Sequence, residues 1–160
     1  MTTPNQSFQQ TWDDFLAEWP LERLRTMTLS EYSAAGASHT FTVWIESRLD
    51  KMGSIWGGSS FKFGIYSRKN KTPKPSNRHA SYSQDYAWYT KYGTTPEEAF
   101  AKVKALVVQV AEAAARGDYS AINAIDLREA YKWKIAFHYQ DRANPGVVAL
   151  FKRDRIQTWL

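Results

Sequence analysis

From Phe41 to Leu49 the chain alternates. Phe41, Val43, Ile45 and Leu49 fall on one side of an extended segment, and Thr42, Trp44, Glu46 and Arg48 on the other. A period of two predicts a half-buried strand. The pattern returns at Phe61, Phe63 and Ile65 against Lys62, Gly64 and Tyr66, and again over Tyr86 to Tyr92, where Gly93 ends it. It returns a fourth time at Tyr131, Trp133, Ile135, Phe137 and Tyr139, set against Lys132, Lys134, Ala136 and His138. A strand is the first reading of that run, with a helix through it left open. Val147 to Phe151 is a fifth extended segment, expected to pair with the fourth across the turn Asn144-Pro145-Gly146.

Other stretches repeat at helical spacing. Ser7 with Gln10 makes a capping box before the stripe Phe8, Trp12, Phe15, Leu16 and Trp19. Pro20 ends that helix and opens the next, with Leu21, Leu24 and Met27 inward. A second capping box, Thr28 with Glu31, starts a short helix toward Gly36. Thr95-Pro96-Glu97-Glu98 opens the longest helix, whose inward stripe runs from Phe100 through Val103, Leu106, Val107 and Val110 to Ala114. Gly117 closes it. Tyr119 to Ile125 reads as a short helical turn, Lys152 to Leu160 as a terminal helix, and residues 1–6 as a loose end. The expectation is one α+β domain over residues 1–160. An antiparallel or mixed sheet of about five strands packs against the long helix and the N-terminal helices.

Between the first two expected strands lies Met52-Gly53-Ser54-Ile55-Trp56-Gly57-Gly58-Ser59. That loop is longer than a tight hairpin needs. Trp56 is either a plug folded onto the sheet or a stacking surface on a loop whose glycines let a ligand approach. Flexible glycines on both sides favour the second reading.

Charge sharpens the picture. The net charge is +5, but residues 1–35 hold five acids and two bases, whereas residues 67–91 hold six bases and one acid. Residues 131–160 add six bases against two acids. Residues 67–85 lack periodicity and read as a long, mobile basic loop, of the kind that is functional or disordered in a compact domain. With nine tyrosines and seven tryptophans interleaved, this composition suits nucleic acid: bases neutralise phosphates and rings stack. The candidate phosphate contacts are Lys62, Arg68, Lys69, Lys71, Lys74 and Arg78. The candidate stacking residues are Trp44, Trp56, Tyr66 and Trp88, able to hold a flipped or modified base.

There is no cysteine, which excludes disulfides and thiolate chemistry. No signal pattern or membrane-length apolar run is present, so a soluble cytoplasmic protein is expected. His39, His79 and His138 have no partner at metal-ligand spacing, and Glu46 is a lone carboxylate suited to pair with Lys62 or Arg48. No nucleophile elbow and no nucleoside-triphosphate loop occurs. Binding is favoured over catalysis, with no metal and no cofactor.

The segments Phe41-Thr-Val-Trp-Ile-Glu46, Gly53-Ser-Ile-Trp-Gly-Gly58, Lys62-Phe-Gly-Ile-Tyr66 and Lys132-Trp-Lys-Ile-Ala-Phe137 give the chain a further likeness. With Tyr86 to Gly93 and the Thr95 helix start, they resemble the N-terminal domain of McrB-like AAA+ proteins of modification-dependent restriction systems. The likeness spans most of Trp12 to Phe151. It implies a DNA-recognition domain that reads a modified base, with an AAA+ motor and a nuclease as partner subunits. The rival expectation is a protein-interaction module that docks a partner through exposed aromatics.

Overall fold

The computed structural model describes residues 4–149 and 151. The class is α+β, with a three-stranded antiparallel sheet and a larger helical part. Helix α1 (Pro4–Glu18) starts within the segment expected to be loose, ahead of the Ser7 capping box. Helices α2 (Leu21–Thr26) and α3 (Leu29–Tyr32) follow, and the Thr28–Glu31 capping box is formed in both directions. The long helix α5 (Pro96–Ala115) runs as its pattern predicts, with Thr95 capping its start. Its buried stripe includes Phe100, Val103, Val107 and Val110. The short helix α6 (Tyr119–Ala124) also matches the sequence reading.

Two expected strands are helices. Phe41–Val43 is a turn of α-helix, α4, capped by Thr40, and Trp44–Arg48 continues it as a π-helix. The buried positions Phe41, Trp44, Ile45 and Leu49 explain this, because i, i+3, i+4 and i+8 is a helical stripe once the π turn adds a residue. The alternation at 41, 43 and 45 is the weaker of two periods present in the same letters.

The second is Glu129–Tyr139, helix α7. It packs against α5, α1, α6 and the π turn, and is surrounded by protein. Its lysines are not a solvent face. Lys132 and Lys134 are buried, so the polar half of the apparent strand pattern points inward. Lys134 Nζ donates to the carbonyls of Leu49 (2.7 Å) and Gly53, at the end of the π turn and the 3₁₀ turn Asp50–Met52 after it. Lys132 Nζ donates to Asn123 and Ile125 carbonyls at the end of α6, and to the Glu129 carboxylate. Each lysine supplies donors to carbonyls that a helix end leaves without partners.

The sheet is smaller than the five strands expected. Strand β1 (Ile65–Ser67) follows a 3₁₀ turn at Ser60–Phe63, where strand had been expected. Strand β2 (Ala80–Tyr82) lies inside the stretch read as a loop, and β3 (Tyr86–Tyr89) gives way to a 3₁₀ turn at Thr90–Tyr92. The order is β1-β3-β2, with Tyr66 and Tyr82 both opposite Ala87. The described residues of 147–151 form no strand, and the terminal helix expected at 152–160 lies outside the described residues. Ile65 and Trp88 sit on the sheet face turned to α5. Gly64, at φ +80°, lets the chain settle there, since a Cβ would meet Val103 at 2.7 Å. Among the described residues no helix is long and apolar enough to cross a membrane.

Candidate functional site

Lys62 builds the site from below. Its buried ammonium donates to the carbonyls of Ile55 (2.9 Å) and Gly57 (2.7 Å), the residues on either side of Trp56, and pairs with Glu46. Two carbonyls and a carboxylate satisfy a charge that would otherwise be costly to bury. Gly57 and Gly58 at φ +94° and +71° then turn the chain back. Held this way, the loop leaves the Trp56 side chain 64% exposed, the opposite of a plug.

Trp56 stands at a groove of about 480 Å³, a size suited to a small-molecule or nucleobase ligand. One wall is the turn after α3, at residues 33–38. The π turn supplies Glu46 and Ser47, and β1 supplies Tyr66 and Ser67, with Lys69 just beyond. Ser33 Oγ accepts from the Ser67 amide at 2.9 Å and ties the first wall to the third. Burial raises the pKa of the Tyr66 phenol, and nearby Tyr82 adds to the effect while Arg68 opposes it, so Tyr66 is a neutral donor at physiological pH. The groove thus offers three aromatic residues, Trp56, Phe63 and the neutral phenol Tyr66, with a carboxylate acceptor, several hydroxyls and a cation.

Three of the ten residues singled out in the sequence meet here: Trp56, Tyr66 and Lys69. Four others are interior. Lys62 is buried, with its ammonium on the Ile55 and Gly57 carbonyls and on Glu46. Trp44 is buried beneath the Arg48 guanidinium (3.5 Å to the ring centre) and donates from Nε1 to Glu18. Trp88 is buried and donates to the Gly93 carbonyl. Arg68 is buried too, with its guanidinium on the carbonyls of Ser83 and Thr72. Lys71, Lys74 and Arg78 are exposed but do not line the groove. Lys71 pairs with Asp85 at 2.6 Å. The stretch 68–79 is an irregular strap held at several points. The Asn77 carboxamide accepts from the His79 and Ala80 amides, and Ser76 accepts from the Tyr82 amide.

Glu46 pairs with Lys62, one of the two partners its sequence position suggested, while its place in the groove was not foreseen. The wall at 33–38 carried no signal beyond Gly36. Phe61, Tyr82 and Tyr89 were also missed as a surface, because Phe61 and Tyr89 read only as one face of a strand each and Tyr82 fell in the stretch that reads as a loop. His39 and His79 are exposed. His138 is fully buried, and its pKa is pushed down to about 3, chiefly by burial. Its Nδ1–H donates to the Lys134 carbonyl, and Nε2 has no partner among the described residues. Among the described residues no cluster of three His, Cys, Asp or Glu side chains could hold a metal ion.

Comparison of the chain with family models, with curated proteins and with solved structures finds no match.

Proposed function

We propose that this chain is a DNA-binding recognition domain of a restriction-type defence system, and that the groove beside Trp56 receives one base, which can be modified. The observation that carries the reading is the exposure of Trp56 on a loop pinned from beneath by Lys62, at the mouth of a groove that also holds Tyr66, Glu46 and Lys69. A tryptophan so held stacks on any base. A carboxylate accepts from the exocyclic amine of cytosine or adenine, which gives Glu46 a reading role. Lys69 at the groove, with exposed Lys74 and Arg78 on the strap, supplies cations for phosphates. The likeness to McrB-like N-terminal domains agrees with this reading and adds an AAA+ motor and a nuclease as partners.

The test is a calorimetric titration with duplexes that are unmodified, cytosine-modified or adenine-methylated, each at two salt concentrations. Trp56→Ala is measured beside the native protein. The expected result is salt-sensitive binding, a preference for one modified duplex, and loss of that preference in Trp56→Ala with its melting temperature within a few degrees of native. Absence of binding at low salt to every duplex and to single-stranded DNA alike would overturn the reading. The groove would then belong to a protein ligand, docked through Trp56 and little affected by salt.

A further inference from the structure

The outer face of the sheet carries a second aromatic surface, contiguous with the groove through Tyr66. Tyr66 on β1 and Tyr82 on β2 flank Ala87 of β3 in one row, and Tyr89 extends that face by two residues along β3. The Phe61 ring sits among them, 5.2 Å from Tyr66, 5.3 Å from Tyr89 and 6.1 Å from Tyr82 between ring centres. All four rings are half-buried, while Ile65 and Trp88 on the opposite face are buried against α5. Cations border this face. Arg68 and Lys74 lie 5.4 and 5.6 Å from the Tyr82 ring centre, and Lys91 lies 5.4 Å from that of Tyr89. Arg68 is held by carbonyls and Lys91 by Asp126, whereas Lys74 has neither a carbonyl clamp nor a carboxylate in ion-pair range among the described residues.

We infer that this face is a platform for single-stranded nucleic acid, and that the ligand of the groove is a base in an unpaired strand whose flanking nucleotides lie across Tyr66, Phe61, Tyr82 and Tyr89. The inference rests on the DNA-binding reading and narrows its substrate class. A paired base hides its faces inside the helix, whereas an unpaired one offers a face to every ring it passes. A flat sheet with rings at alternate positions and cations along its border is how strand-binding domains meet that need. Charge chooses the occupant: the strap from Arg68 to His79 holds no acid and leaves Lys69, Lys74 and Arg78 exposed with no carboxylate in ion-pair range among the described residues, so a polyanion is favoured over an acidic-poor peptide.

The experiment compares a 12-nucleotide thymidine strand with a duplex of equal length, each titrated at low salt, with poly-glutamate as an acidic peptide control. Three proteins are used: native, Tyr82→Ala/Tyr89→Ala, and Tyr82→Phe/Tyr89→Phe. Circular dichroism and melting temperature check each fold. The expected result is tighter binding of the strand than of the duplex by the native protein. The alanine pair should lose about ten-fold or more in strand affinity, and the phenylalanine pair should stay within about two-fold, because stacking needs the ring and not the hydroxyl. If the alanine pair does not fold, the native preference and the phenylalanine pair still decide. Equal or tighter duplex binding by the native protein overturns the platform while leaving the DNA-domain reading standing. Binding of poly-glutamate as tight as the strand overturns it in favour of an acidic protein partner. No binding of strand or duplex overturns both readings.

Discussion

Helix α7 and the strap at residues 68–79 are both rich in basic residues, and they use them in opposite ways. In α7, Lys132 and Lys134 are buried, and each ammonium ends on the carbonyls of another element. On the strap, Lys69, Lys74 and Arg78 are exposed, and among the described residues none has a carboxylate within ion-pair range. What separates the two sets is the supply of carbonyl acceptors. Where a turn or helix end leaves carbonyls pointing inward, a long cation is drawn to them and becomes part of the frame. Lys62 beneath the Trp56 loop and Arg68 at the root of the strap belong to the first set, although Lys69, next to Arg68, belongs to the second. Net charge therefore overstates the cations available to a ligand.

The comparison can be broken at its inner half first. Lys134→Ala leaves the carbonyls of Leu49, Met52 and Gly53 without their donor, at about 1–3 kcal/mol for each buried acceptor. Urea denaturation should show a loss of more than about 3 kcal/mol, or no cooperative transition. A loss under about 1 kcal/mol would mean that water replaces the ammonium.

The next largest effect depends on pH. His138 holds its pKa near 3 in the folded protein, below the ordinary 6.5. Between those values the unfolded chain binds the proton and the folded one does not. Stability is thus lost as pH falls from about 6.5 toward 3, by about 1.4 kcal/mol per unit for this group. Denaturation at pH 7 and pH 4 should differ by about 3 kcal/mol less in His138→Phe than in the native protein. Equal acid sensitivity would show that the ring meets solvent.

Lys62→Met tests whether a frame cation shapes the site. It should cost about 2 kcal/mol and raise amide exchange over residues 53–60, while removing the preference among duplexes without altering the salt slope. A reduced salt slope with unchanged exchange would return Lys62 to the phosphate contacts. The smallest change in stability is expected on the strap. Lys69→Gln, Lys74→Gln and Arg78→Gln together should each move stability by no more than about 0.5 kcal/mol. The triple variant should bind all duplexes more weakly, with a salt slope lowered by about 0.9 per lost phosphate contact. Unaltered affinity would remove the strap from the interface.

The same acceptor logic explains what the letters revealed. The α5 helix was legible because its cap, its proline and a seven-position apolar stripe agree, and the Thr28 capping box was legible because both halves are local. Phe41–Leu49 was misread because a two-residue alternation and a helical stripe coexist in the same letters, and at Tyr131–Tyr139 the strand was preferred to the helix left open. In the second, inward lysines imitate the outer face of a strand. At the site, Trp56 was legible from its glycines, and Tyr66 and Lys69 from aromatic and basic content. Lys62, Arg68, Trp44 and Trp88 carry the same letters as a surface, and only the fold shows the carbonyl or carboxylate that each one meets. The wall at 33–38 is made of small residues placed by α3 and the π turn, which no local pattern announces.

The exposure of Trp56 has a spectroscopic consequence. Trp12, Trp19, Trp44 and Trp88 are buried and Trp133 is half-buried, so the described indoles fall into a shielded group and one chromophore in water. Emission from the shielded group sits toward the blue and is slow to meet a dissolved quencher. Emission from Trp56 sits toward the red and is open to collisions with iodide or acrylamide. Among the described indoles Trp56 is thus an optical reporter at the mouth of the groove, and whatever settles there dims or shields its red-shifted emission without any dye attached.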